Sequence, residues 1–380
     1  MHLPSGIILL LLLLSLLTAA AALSGTGNNR PTSTGGTSGG AQYVHQQESS
    51  NRQFLLHQCF RQSSLDAFHM SGIMHYFANN KSSSSKKDSA DNPDHHQYRI
   101  LEIGCGAGHT TLDLLDKELP LNVEIVAIDA DATMISDAKN RFVEDRSNTN
   151  PIQRRKISFY HQTGESMAAN NDDTEGSFDV VWLRFVVVHV PKPEELLRAA
   201  VACLKPGGIL LVEDTCTTTT AGASSSAVCD PPLFAHEFFH ERHCKATLQL
   251  GGDLSRGAKI GNYMSNLGLH NVHCNSFAPI FGKGVEVQPW TSNQNEPYSH
   301  NPNRRLPREM FDAALNLLDL SLRSLIVKLK EMRLCSDEEA EQAQASMDEC
   351  KKRIYSADDP ASYQILSLPD GTIFQWWANK

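Results

Sequence analysis

The sequence predicts an α/β protein: a doubly wound, mostly parallel sheet of seven strands with helices on both faces. Three observations predict it. Between positions 99 and 212, short apolar runs alternate with segments of helical periodicity. The first run, RILEI, ends on an acidic residue and opens into Gly104, Gly106 and Gly108, after which TLDLL resumes the apolar pattern. The last run, TIFQWWA, restores a strand pattern at the C-terminus after two amphipathic helices.

Each element follows from its own pattern. Residues 43–77 carry apolar positions at helical spacing, among them Phe54, Leu55, Cys59, Leu65, Phe68 and Met70. Residues 79–97 form a polar insertion that reads as a loop. Strands are expected at 100–103, 123–128, 157–161, 178–182 and 209–212, with helices at 110–119, 133–142 and 194–204 between them. Residues 215–227, TCTTTTAGASSSA, are a low-complexity insertion. Helices at 232–247 and 257–267, a sixth strand at 270–278 and a long loop at 283–307 come next. Helices at 309–332 and 337–353 and a final strand at 372–378 complete the chain.

A chain of 380 residues holds one large or two ordinary domains. Its formal charge of −9 and the lack of a dense Lys/Arg run argue against a nucleic-acid partner bound through phosphate neutralisation. Nine cysteines without a C-x-x-C pair fit neither a disulfide scaffold nor a zinc cluster, and no metal is expected. Cys105, inside the glycine run, reads as a small residue packed beside a ligand.

The first 22 residues read as a secretory signal: residues 7–17 are almost all Leu and Ile, and residues 19–22 are alanines suited to cleavage. The segment before them lacks Lys and Arg, and the apolar core is shorter than the ~20 residues of a membrane span. The mature chain would begin at Leu23 with no stable membrane insertion; an uncleaved ER anchor is the alternative. Residues 23–42 read as a linker, and the wider Ser/Thr/Gly-rich, acid-poor stretch 24–47 has the composition of a transit peptide. Signal and transit stretch together are similar to bipartite leaders of plastid proteins.

In an open α/β sheet, ligands bind beyond the carboxyl ends of the strands, near the point where strand order reverses. The strand-end residues are therefore the candidates. Strand one supplies Glu102 and the glycines; strand two ends at Asp129, placed to accept two ribose hydroxyls, with Asp131 as the cap of the next helix. Gly164-Glu165-Ser166 follows strand three, and Arg184 ends strand four, where it would anchor an acidic group or pair with Glu213 or Asp214. Pro206-Gly207-Gly208 reads as a turn before strand five.

A dinucleotide fingerprint would require glycine at position 109, where the chain has His109. The E-x-G-x-G-x-G spacing instead resembles motif I of the class I S-adenosylmethionine (SAM) methyltransferases. Gly164-Glu165-Ser166 resembles the family's G-D-A element, whose acidic residue receives the adenine amino group, and LKPGGILLVED is similar to a further signature. Tyr43-Val44, Glu48, Arg52 and Gln58, with the stretch 336–363, extend the likeness to small-molecule enzymes of the ubiquinone/menaquinone-biosynthesis type over 43–380. The insertions 79–97 and 215–227 depart from it beside the pocket.

The resemblance implies a Rossmann-like methyltransferase domain over 43–380, with a SAM-binding core at 98–214 and lid and C-terminal helices at 232–380. N-terminal and C-terminal helical elements would roof the site. It implies SAM as cofactor, held by Glu102, Gly104, Cys105, Gly106, Gly108, Asp129, Ala130, Gly164, Glu165, Ser166, Arg184, Tyr43 and Arg52, and a small-molecule methyl acceptor. A protein or peptide methyltransferase and a SAM-binding scaffold without turnover are the alternatives.

Histidines are the candidate bases for an acceptor hydroxyl. His236-Glu237-Phe238-Phe239-His240 matches H-E-x-x-H, yet it follows a complete set of SAM elements, and His243 is too near to serve as the distant third ligand. His236 and His240 are thus candidate catalytic residues on a helix facing substrate, against the simpler expectation of an exposed polar face. His189, after strand four, is the third candidate, against a packing role.

Overall fold

The computed structural model describes residues 39–79, 98–147, 156–170, 176–217, 229–230, 232–277, 280–282, 308–355, 365–367 and 372–380. The expected helix at 43–77 is two helices, α1 (Gly39–Met70) and α2 (Ile73–Asn79). They break at Gly72, whose φ of +77° suits the left-handed turn that ends α1. Strand β1 (Tyr98–Ile103) leads into the glycine loop. A π-wound turn, Thr111–Leu115, and a short α3 (Asp116–Glu118) follow. Then come β2 (Val123–Asp129), α4 (Ala132–Ser147), β3 (Ile157–His161), α5 (Gly164–Asn170), β4 (Phe178–Arg184), α6 (Pro193–Cys203) and β5 (Leu204–Cys216).

The second half supplies β6 (Cys229–Asp230), α7 (Phe234–Gln249), α8 (Ile260–Asn266), β7 (His270–Phe277), β8 (Ile280–Gly282), α9 (Arg308–Glu331), α10 (Asp337–Tyr355), β9 (Ile365–Ser367) and β10 (Thr372–Asn379). The main sheet has seven strands in the order β3-β2-β1-β4-β5-β10-β7. Strands β1 to β5 run parallel, whereas β10 is antiparallel to both β5 and β7. The sheet is therefore mixed. A second, three-stranded sheet, β6-β9-β8, joins segments in which the sequence pattern shows no strand.

Strand β5 begins five residues earlier than its apolar run. The β4–β5 register jumps between Phe178–Leu204 and Val180–Ile209. Pro206-Gly207-Gly208 is thus an irregularity within the strand rather than a turn before it. The Gly207 amide donates to the Lys380 carbonyl at 2.9 Å, and the Lys380 amide returns a bond to Gly208 at 3.0 Å, so the bulge is sealed by the residue that follows β10.

The parallel strands are buried on both faces, as crossover helices require. Along β1, Leu101 and Ile103 pack with Leu196, Leu197 and Met264 on one face; Ile100 packs with Phe68, Ile73 and Phe77 on the other. A third core lies outside the sheet. Leu315, Leu318, Leu322 and Leu325 of α9 pack with Phe238 and Phe239 of α7, Met347 of α10 and Phe60 of α1. This helical layer lies over the sheet end where the strand order reverses, between β1 and β4. Among the described residues, no helix is long and apolar enough to cross a membrane.

Candidate functional site

A cavity of ≈ 960 Å³ opens at the carboxyl ends of β1, β2 and β4, between the sheet, α1 and the loop after α7. The glycine loop forms its floor. Gly106 has a φ of +55°, and its amide donates to Asp129 Oδ2 at 2.8 Å. The turn of β1 is thereby fastened to the end of β2. Asp129 Oδ1 accepts the Asp131 amide at 2.9 Å, while Asp131 itself caps α4 through the Thr133 amide at 2.8 Å. Asp131 thus caps α4, as its position predicts, while Asp129 fastens the glycine loop.

Helix α1 closes the site from above. Gln53 Oε1 accepts the Ala107 amide at 2.6 Å and stands over Gly106, where a Cβ would lie 2.2 Å from it. His109 Nε2 meets the Ser50 carbonyl at 3.1 Å. At the far end, Gln249, Leu250 and Gly251 close the cavity, and the Asp253 amide donates to the Val188 carbonyl at 2.7 Å.

The expected cofactor residues separate by position. Glu102, Gly104, Cys105, Gly106, Asp129 and Ala130 line the cavity from the β1 and β2 ends. Gly164, Glu165 and Ser166 line it from the start of α5, and Arg52 and Arg184 from α1 and β4. Gly108 is absent from the lining. Its φ is +75°, and a Cβ there would lie 2.9 Å from Ala138 Cβ of α4, so this glycine serves helix packing. Tyr43 falls on α1, with its side chain outside the described residues.

The catalytic candidates separate as well. His189 lines the cavity, is buried, and its Nδ1 has no hydrogen-bond partner. Burial, with the charges of Arg52 and Arg256, pushes its pKa down to about 3, so the ring is neutral. His236 and His240 do not line the cavity. Both are 2% exposed, as is His243, which corrects the expectation of a polar outer face. They face inward because α9 and α10 cover that side of α7; their rings lie edge to face at 4.8 Å. Glu237 points outward, and no group of three His, Cys, Asp or Glu arranged for a metal occurs among the described residues.

Arg184 makes no ion pair with Glu213 or Asp214. It donates to Thr110 Oγ1 at 2.6 Å and to the Leu56 carbonyl at 3.4 Å. Glu213 is instead bonded by Trp182 Nε1 at 3.0 Å, Gln375 Nε2 at 2.9 Å and Ser64 at 3.2 Å, which joins β4, β10 and α1 beneath the cavity.

Sequence reasoning did not single out Gln53, His57, Thr110 or Phe185 as lining residues. Phe185 has a φ of +55°, uncommon for a bulky residue, and its amide donates to the Glu213 carbonyl at 2.8 Å. Backbone held in this region costs about 1–3 kcal/mol and clusters at functional sites.

The electrostatics suit a cationic ligand at the β1–β2 end. Burial raises the pKa of Asp129 to about 6 and that of Glu102 to about 7. A ligand carrying positive charge would relieve that desolvation. SAM carries a sulfonium and an ammonium, and its ribose presents the hydroxyl pair that a strand-end carboxylate accepts.

Residues 101–210 match a family model described as a methyltransferase domain. A ubiquinone biosynthesis O-methyltransferase of Xanthomonas campestris is 30% identical over 115 residues, which are 30% of this chain and 41% of that enzyme. The chain thus spans about two fifths of the length of the curated relatives it matches. Among solved structures, a phosphoethanolamine N-methyltransferase 2 of Haemonchus contortus, in complex with SAM, superposes with a TM-score of 0.38 at 16% identity, over 74% of this chain and 48% of that one. The YcgJ protein of Bacillus subtilis gives 0.39 at 16%, over 74% and 92%.

Fold, glycine loop and strand-end carboxylates define a SAM-binding α/β domain. Over residues 101–210 the chain carries a methyltransferase domain, similar to that of enzymes that use S-adenosyl-L-methionine.

Proposed function

We propose that this protein transfers the methyl group of SAM to a small-molecule acceptor. One observation carries the reading: a single roofed cavity runs from the strand-end carboxylate Asp129 past the glycine loop to Phe185 and His189. Its ≈ 960 Å³ lies at the upper end of the range for small-molecule sites, enough for a nucleoside cofactor and a second compact ligand. The roof formed by α1 and the loop after α7 favours a small acceptor over a protein surface.

The cofactor's sulfonium is already an activated methyl donor, so the protein mainly supplies position and exclusion of water. Asp129 and the Gly104–Gly106 backbone would hold the nucleoside, and Glu165 would receive the adenine amino group. The acceptor would lie toward Phe185, beside the His189 ring. That imidazole is neutral, and with its pKa lowered to about 3 it would accept a hydrogen bond from an acceptor hydroxyl and orient it rather than take up its proton. When bound, SAM would supply the methyl group to the acceptor and would leave as S-adenosylhomocysteine.

The test is incubation of the protein with methyl-labelled SAM and a fractionated extract of its own organism, followed by identification of the labelled product. Label in a small molecule is the expected result. Label in a polypeptide would turn the reading toward a protein methyltransferase, and bound SAM without any transfer would turn it toward a scaffold.

A further inference from the structure

Arg184 is buried with only neutral hydrogen-bond partners. Its Nη1 donates to Thr110 Oγ1 at 2.6 Å, its Nη2 to the Leu56 carbonyl, its Nε has no partner, and its guanidinium lies 5.1 Å from the Phe185 ring centre. Glu213 and Glu102 act on its charge, but among the described residues neither is in ion-pair contact with it. A buried cation without a contacting anion is costly, and it lines the cavity in which a ligand would sit.

Thr110 is the inner end of a longer chain of contacts. His57 Nδ1 meets Thr110 Oγ1 at 3.2 Å, and His57 Nε2 meets Asp113 Oδ2 at 2.9 Å. Asp113 also receives Arg61 Nε at 2.6 Å and Lys117 Nζ at 2.7 Å. These bonds hold its carboxyl well below the ordinary range, so it accepts only. The direction of every bond follows. His57 must carry its proton on Nε2 to donate to Asp113. Its Nδ1 then accepts, and Thr110 donates O–H to it. The lone pairs of Thr110 are thereby turned toward Arg184. Burial and the Arg184 charge keep His57 neutral, with its pKa lowered to about 4, which preserves this direction.

The chain runs from the buried cavity to a second, solvent-facing cleft lined by His57, Asp113, Arg61, Lys117 and Arg141. Clamping α1 to the loop helix does not require it: Arg61 already bridges α1 to Asp113 and Glu118, and Gln53 binds the glycine loop. What it adds is a fixed hydroxyl rotor at Arg184.

We propose that Asp113, His57 and Thr110 form a relay of hydrogen bonds that orients Arg184 as a carboxylate anchor, with His57 as its positioning residue. The inference rests on the SAM methyltransferase reading. The carboxylate has two possible sources: the amino-acid tail of the cofactor, or an acid group on the acceptor.

Calorimetric titration separates them. S-adenosylhomocysteine and 5′-methylthioadenosine share the nucleoside and the sulfur, but only the first has a carboxylate. 4-Hydroxybenzoate and 4-hydroxybenzyl alcohol, titrated into protein saturated with S-adenosylhomocysteine, differ in the same way. If the anchor serves the cofactor, Arg184→Gln weakens S-adenosylhomocysteine on the order of tenfold and leaves methylthioadenosine unchanged. If it serves the acceptor, Arg184→Gln leaves both nucleosides unchanged and abolishes the preference for the benzoate over the alcohol. In either case His57→Phe shows the same pattern in weaker form, Thr110→Val follows it, and Thr110→Ser, which keeps the hydroxyl, restores the wild-type pattern. Circular dichroism confirms folding of each variant, and any variant that fails to fold is replaced by the other relay position.

An Arg184→Gln protein with no change toward any carboxylate overturns the anchor. Loss on Arg184→Gln without any change on His57→Phe or Thr110→Val overturns the relay alone. Wild-type protein that binds neither nucleoside overturns the methyltransferase reading itself, and the anchor with it.

Discussion

The amide of Gly106 donates to Asp129 Oδ2 at 2.8 Å, joining the loop after β1 to the last residue of β2. One carboxylate thereby shapes the glycine loop and also lines the cavity. Asp129→Ala therefore removes a ligand contact and loosens the loop together. The expected loss in SAM affinity is about 1–3 kcal/mol, read by calorimetry. Unchanged affinity would remove Asp129 from the site.

Gly106→Val is expected to abolish cofactor binding. The backbone sits at a φ of +55°, and the first added carbon would lie 2.2 Å from Gln53 Oε1. The valine would displace Gln53 from the Ala107 amide and project into the cavity floor. Gly108→Ala instead meets Ala138 on α4 and is expected to lower the melting temperature while folded protein still binds SAM. Normal SAM affinity in Gly106→Val would contradict the loop's role.

His189→Ala is expected to lower the rate of methyl transfer to a hydroxyl acceptor by roughly tenfold, through loss of one orienting hydrogen bond, with little change in SAM affinity. His236→Ala and His240→Ala are expected to act on stability alone, since neither ring lines the cavity. Equal rate losses in all three, at unchanged melting temperature, would reverse this assignment. One zinc per chain by elemental analysis, lost on His236→Ala, would restore a metal role to the H-E-x-x-H segment.

Acid is expected to unfold this protein early. Burial lowers the pKa of His57 to about 4, His109 to about 3, His189 to about 3, His240 to about 2 and His243 to about 4. In the unfolded chain each takes up a proton near pH 6.5. Below that pH the unfolded state therefore binds more protons, and stability present above pH 6.5 is lost as the pH falls toward the folded values. Glu102 and Asp129, raised by burial to about 7 and about 6, act in the opposite sense over part of the same range. Glu213, also raised by burial, acts with them, and five histidines against three carboxylates leave a net loss. A urea midpoint that falls between pH 7 and pH 5 is the expected result; a flat or rising one would contradict the neutral burial of these rings.

Residues 1–47 are expected to direct a fused fluorescent protein out of the cytosol. The Leu-rich core and the following alanines motivate entry into the secretory route, and the acid-poor stretch after them motivates a second, organelle-directed step. Diffuse cytosolic fluorescence would defeat both steps, whereas ER or secreted signal would defeat only the second.

The sequence by itself determined the alternation of strands and helices from β1 to β5 and the loop between β1 and the π turn. These are local properties: apolar period sets the element, and glycine at alternate positions permits the positive φ values seen at Gly104, Gly106 and Gly108. The strand-end acids Glu102 and Asp129 were legible for the same reason, since the end of an apolar run marks where the sheet stops. Only the tertiary structure decided which partner covers which face. Nothing local tells β10 to enter antiparallel between β5 and β7, or distinguishes Gly108, which packs on α4, from Gly106, which lines the cavity. The histidines of α7 look like a polar face until α9 and α10 cover them. The contacts of Arg184 with Thr110 and of Thr110 with His57 cross 74 and 53 positions of chain. Contacts of that span depend on how whole helices pack on the sheet, which residue spacing does not encode.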